Sequence, residues 1–157
     1  MQCITKQIKT VRNWAYSKNI KVEIRLDCQD FFEITRKKGK LIKKITIEKR
    51  PKNPKFELFY LLHELGHFIT YENKEKWRNE NLRYTVDFSI NEEVEGEKDW
   101  YLIANITEEH DAWRNGKILA RQLNINLNEK EYEEEWIDAL KDYVIFSARK
   151  MHRDIKK

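Results

Sequence analysis

Between Pro54 and Thr70 the chain reads as one helix whose circumference is mostly apolar: Phe56, Leu58, Phe59, Leu61, Leu62, Leu65, Phe68 and Ile69 leave almost no polar face. Such a helix has to be covered on every side, so it dictates a central place in the fold. Pro54, which suits the first turn of a helix, marks its start. Inside it runs His63-Glu64-Leu65-Gly66-His67. A polar group buried without a partner costs about 1–3 kcal/mol, so these histidines and this glutamate need an explanation. Residues four apart share a helix face, and His63 and His67 can therefore present two nitrogens to one metal ion. Glu64 stands to one side, where a carboxylate can take a proton from water, the division of labour of an H-E-x-x-H zinc site. Gly66 costs about 1 kcal/mol relative to Ala inside a helix, which points to close approach by another backbone or a substrate.

Two histidines leave a catalytic zinc one protein ligand short. Cys3 and Cys28 lie far apart without C-x-x-C spacing, which argues against both a disulfide scaffold and a cysteine zinc site. His152 falls in a charged terminal tail, leaving His110 as the other histidine. The favoured third ligand is Glu109. It is the polar member of a helix face made by Ala112, Trp113, Gly116, Leu119, Ala120 and Leu123, whose small residues allow close packing on the motif helix. Glu108 and then Asp111 are the alternatives, and helix phase decides among them. With Asn105-Ile106-Thr107 as the N-terminus of this helix, the carboxylate belongs to its first turn.

Elsewhere the pattern gives a first helix from Ile4 to Trp14, stopped by Ser17-Lys18-Asn19, and a strand from Ile20 to Leu26 with strict alternation. Phe31 to Thr35 and Leu41 to Ile47 read as two more strands around the basic turn 36–40, and three successive strands suggest an antiparallel meander. Residues 71–100 are polar and irregular and suit an insertion folded over the site, with Asp87-Phe88-Ser89-Ile90 and Tyr101-Leu102-Ile103 as its ordered pieces. The acidic residues Glu92, Glu93, Glu95, Glu97 and Asp99 lack calcium-loop spacing and read as a solvated loop. A last helix from Glu129 to Met151 turns Tyr132, Trp136, Leu140, Tyr143, Val144 and Ala148 toward the body, and the tail Arg153 to Lys157 frays.

At 157 residues, with 40% hydrophobic and 12% aromatic content, the chain fits one domain (1–157) with a real core. It has neither a long uncharged apolar run nor a signal-like N-terminus, so a cytoplasmic protein that does not engage membranes is expected. Residues 1–60 carry sixteen Lys/Arg against six Asp/Glu, and residues 61–157 carry fifteen against twenty-one, so a basic first part joins an acidic remainder.

The motif His63 to His67, followed by a helix with Glu109-His110-Asp111-Ala112, resembles the gluzincin metallopeptidases. Among them it is similar to the small ImmA/IrrE-like proteins, in which H-E-L-G-H precedes an E-x-x-A helix. It also resembles compact phage proteins whose later motif is E-x-x-A-W-x-x-G, here Glu109 to Gly116. The chain departs from the ImmA/IrrE-like pattern in Trp113-Arg114-Asn115-Gly116 and in its long spacer before Glu109. The resemblance implies an α+β zincin-like domain: an N-terminal helix, a small antiparallel sheet on the central motif helix, and two further helices. It also implies Zn2+ held by His63, His67 and Glu109, with Glu64 as general base.

The reaction expected on this basis is hydrolysis of a protein or peptide substrate, in the host cytoplasm if a phage encodes the chain. His110, Tyr101 and Arg114 flank the third ligand and are the candidates for stabilising the transition state. A different class of function is a non-catalytic zinc-containing module whose basic hairpin, residues 36–55, binds nucleic acid or an acidic partner. Against it, Leu41, Ile42, Ile45 and Ile47 in that hairpin read as core residues, and lysines commonly protect sheet edges. An inhibitor of a host protein is a third class, suggested by the phage resemblance.

Overall fold

The computed structural model describes residues 3–73 and 98–155, with backbone alone at 98–102 and 150–155. In chain order these form α1 (Ile4–Ser17), β1 (Ile20–Arg25), β2 (Phe31–Lys37), β3 (Lys40–Glu48), α2 (Pro54–Glu72), α3 (Lys98–Gln122) and α4 (Glu129–Ile155). The fold is α+β, with four helices and one three-stranded sheet among the described residues. The segment Asp87 to Ile90 and the acidic residues Glu92 to Glu97 lie outside them.

Helix α1 buries Gln7, Ile8, Val11 and Ala15, the helical spacing of its sequence. It ends where Asn19 takes φ 57, a left-handed conformation that Asn tolerates. At the β2–β3 turn, Lys38 and Gly39 both have positive φ, as a two-residue type I′ hairpin requires.

The sheet is mixed, which corrects the expected meander. Its order is β1-β3-β2: β2 pairs antiparallel with β3 from Phe31↔Thr46 to Lys37↔Lys40, while β1 runs parallel to β3 from Ile20↔Lys43 to Arg25↔Glu48. β3 takes the centre because Ile45, Thr46 and Ile47 are buried in succession, on both faces, a demand that a two-sided cover meets best in the middle strand. The β1–β2 link must then cross the end of β3. Lys49 N–H donates to the Arg25 carbonyl (2.6 Å), and Asp30 Oδ1 accepts from Glu48 N–H (2.7 Å). Toward the hairpin tip Leu41 and Ile42 are exposed, contrary to the core role expected of them.

α2 packs against α3 on one side and against α1, β2 and β3 on others. Leu58, Leu61, Leu62 and Leu65 are almost fully buried, each contributing about 1.5–3 kcal/mol of apolar burial. Its end is tied by polar contacts: Thr70 Oγ1 donates to the Gly66 carbonyl (3.0 Å) and accepts from Asn115 Nδ2 (3.0 Å).

α3 starts at Lys98, well before the expected N-terminus at Asn105-Ile106-Thr107. Thr107 Oγ1 bonds back to the Ile103 carbonyl (2.9 Å), so the side chain sits within helix instead of capping it. Glu109 therefore stands about three turns into α3, not in its first turn. α4 continues to Ile155, past Met151 and into the tail expected to fray. Val144 is exposed, as is Ala148, while Ser147 is buried. Each i+4 step overshoots a 3.6-residue turn by about 40°, so a stripe stepped by fours from Tyr132 leaves the buried face. Among the described residues no helix is long and apolar enough to cross a membrane.

Candidate metal centre

The backbones of α2 and α3 touch. A Cβ placed on Gly66 would lie 1.8 Å from the Ala112 carbonyl oxygen, and one on Gly116 would lie 2.5 Å from that of Leu62. Gly66 thus allows the close approach its cost in helix propensity implied. This contact brings the face of α2 carrying His63 and His67 against the face of α3 carrying Glu109.

Two ring nitrogens and the two oxygens of one carboxylate converge there. His63 Nε2 and His67 Nε2 are 3.2 Å apart, His63 Nε2 is 3.3 Å from Glu109 Oε2, and His67 Nε2 is 3.6 Å from Glu109 Oε1. One nitrogen from each histidine and one Glu109 oxygen lie within 4.8 Å of one another, near enough for a single ion to be shared among them. Among the described residues these three are the group of possible ligands able to hold a metal. Nδ1 of each histidine is buried and has no hydrogen-bond partner, which leaves the Nε2 atoms as the nitrogens that meet at the centre. Trp113 stacks on the His63 ring, with centroids 4.4 Å apart and planes at 26°, and so fixes its orientation.

The charges are strongly coupled. Burial lowers the pKa of His63 despite its bond to Glu109. Burial acts on His67 in the same direction, but the hydrogen bond to Glu109 and the charges of Glu64, Glu109 and Glu108 outweigh it and raise that pKa. Burial also opposes ionisation of Glu109, yet both histidines overcome it and hold its carboxyl well below the usual range. Glu64 differs. Its Oε1 is 3.9 Å from His63 Nε2, outside the trio, and burial pushes its pKa up to about 8.

A cavity of about 430 Å³ opens beside the trio, with His63, Glu64, Glu109 and Trp113 in its wall. Arg50 also lines it. It bonds Asp30 Oδ2 (2.6 Å) and Oδ1 (3.2 Å), approaches Glu48 Oε2 at 3.0 Å, and lies over the Tyr60 ring at 4.4 Å. Tyr60 in turn donates to Glu135 Oε1 (2.6 Å), joining α2 to α4. Ala139 and Tyr143 of α4 line the cavity too.

The remaining candidates fall elsewhere. Glu108 Oε1 is 4.0 Å from His67 Nδ1, on the ring's outer nitrogen, and is not the third member of the trio. Asp111 is buried, and its Oδ1 faces His110 Nδ1 (3.2 Å) and Arg114 (3.3 Å). His110 packs beside Trp136, and neither it nor Arg114 lines the cavity. Each follows a site-facing residue, Glu109 or Trp113, and one residue turns a side chain by about 100°. Tyr101 lies in α3, where the backbone alone is described. Sequence reasoning missed Asp30, Arg50 and Tyr143 as cavity residues. The stripe of α4 signalled Tyr143, though only as packing, and no local pattern joins Asp30 to Arg50. Comparison with known protein families, curated proteins and solved structures gives no match.

Proposed function

We propose that the chain is a zinc-dependent metallopeptidase, with His63, His67 and Glu109 holding the ion and Glu64 acting as general base. The observation that carries this reading is the set of three separations, 3.2, 3.3 and 3.6 Å, among two Nε2 atoms and one carboxylate. A bound zinc ion supplies Lewis-acid chemistry, polarising a peptide carbonyl and bringing the pKa of water toward 7. Glu64, buried next to the trio and lining the cavity, is placed to accept a proton and return it. It takes the proton as the water oxygen bonds to the carbonyl carbon, and gives it to the amine nitrogen as the C–N bond breaks. His63, held by Trp113, and the helix contact at Gly66 keep the ligands in place during these steps.

Zinc content of the purified protein tests this directly. Stoichiometric zinc is expected in wild type and Glu64→Gln, and its loss in His63→Ala, His67→Ala and Glu109→Ala. Cleavage of a complex peptide mixture, read by mass spectrometry, is expected to disappear in Glu64→Gln. Folded wild type without zinc, or undiminished cleavage by Glu64→Gln, sinks the reading.

The exposed Leu41 and Ile42 beside Lys37, Lys38 and Lys40 favour a second reading, in which the hairpin tip binds nucleic acid or an acidic partner. Nucleic-acid affinity that falls steeply with salt and is indifferent to Glu64→Gln supports it.

A further inference from the structure

Glu108 and Glu109 are consecutive on α3, and each faces a different nitrogen of the His67 ring. Glu109 Oε1 is 3.6 Å from Nε2, the nitrogen turned toward the trio, while Glu108 Oε1 is 4.0 Å from Nδ1 on the outer edge. One residue along a helix turns a side chain by about 100°, so successive carboxylates can address two sides of one ring. The His67 and Glu108 side chains are only 12% and 13% exposed, so water screens their interaction poorly. The two histidines are thus held differently. His63 has the Trp113 ring stacked on its face, and His67 has a charge set against its edge.

A neutral imidazole carries one proton, on one nitrogen or the other, and the partner of the outer nitrogen decides which. To offer its Nε2 lone pair to an ion, His67 has to keep that proton on Nδ1. Glu109, next to Nε2, favours the opposite choice when no ion is bound. Nδ1 is buried and makes no hydrogen bond, which leaves the charge of Glu108 to counter that pull. At 4.0 Å the carboxylate is too far for a hydrogen bond and acts through its charge. We propose that Glu108 is a positioning residue for the metal centre, holding the His67 proton on Nδ1 so that Nε2 is left to ligate. This rests on the metal-centre reading above, and it gives a part in metal binding to a carboxylate outside the trio.

Glu108→Gln removes the charge and keeps the size. Zinc affinity, measured by competition with a chromogenic chelator, is expected to fall about tenfold, the low end for loss of a partner to a metal ligand. Glu108→Asp keeps the charge and is expected to lose less. In the metal-free protein, at a pH where the His67 ring is neutral, long-range proton–nitrogen NMR correlation reads which nitrogen carries the proton. The share on Nδ1 is expected to fall in Glu108→Gln, with the melting temperature near that of wild type. Wild-type zinc affinity in Glu108→Gln, equal losses in the Gln and Asp variants, or an unchanged proton position overturns the role of Glu108 and leaves the metal centre standing. Loss of the folded metal-free state in Glu108→Gln overturns that role too, since the carboxylate then serves the fold. Wild-type zinc affinity no better than that of His63→Ala overturns the metal centre and the role of Glu108 with it.

Discussion

At the α2–α3 crossing a Cβ on Gly66 would sit 1.8 Å from the Ala112 oxygen, whereas at the β2–β3 turn a Cβ on Gly39 would meet nothing within 4 Å. Both glycines are required, for different reasons. Gly66 has an ordinary helical backbone and supplies space; Gly39 has space and supplies φ +77, which side-chain-bearing residues adopt at a cost. Around the first, His63, Glu64 and Asp111 are buried and each has a charged or imidazole partner within 4 Å. Around the second, lysines and two apolar side chains face solvent. The tight region fixes distances, as ligands of one ion must be fixed, and the loose one fixes only the direction of the chain.

Gly66→Ala is the strongest challenge to this contrast. Its methyl can be accommodated only by moving one helix off the other, so a loss above about 4 kcal/mol, or no cooperative unfolding transition, is expected in denaturant titration. Stability near wild type shows that the crossing is soft. Glu64→Gln sharpens the contrast from the electrostatic side. The folded pKa of Glu64, about 8, lies above its ordinary value of 4.5. Between those values the unfolded chain has released a proton that the folded, metal-free chain retains, so wild-type stability falls as pH rises. Relative to wild type, metal-free Glu64→Gln should therefore gain a few kcal/mol between pH 4.5 and 8, and parallel pH profiles refute this. Gly39→Ala ranks last, with a loss of about 1 kcal/mol and unchanged zinc content. A loss matching that of Gly66→Ala removes the distinction between space and φ.

The tight region was also the more legible in sequence. An all-round apolar helix has few places to go, and Glu109, Ala112, Trp113 and Gly116 recur at helical spacing, so the partner face could be read without knowing the path between. Strand direction could not. β1 alternates equally well in a parallel or an antiparallel pair, and β3 wins the centre only because both of its faces are covered. The start of α3 was hidden because Thr107 is as suited to a cap as to the back-bond it makes with Ile103. Arg50 and Asp30 escaped because their pairing depends on how the β1–β2 link crosses β3. Tyr143 carried the right period and the wrong meaning: the face it shares with Tyr132 and Trp136 runs on from the core into the cavity.

His63 and His67 belong to one helix, while Glu109 reaches them only when α3 has docked. An ion held by all three would recognise the joined pair and not the separated one. It would then act as a clasp whose strength follows its supply: at a free concentration a hundred times the dissociation constant, it adds about 2.7 kcal/mol to the hold of one helix on the other. A chelator would act first on the seam between α2 and α3 and leave the sheet untouched, so the centre proposed to perform the chemistry would also set how firmly the two helices stay joined.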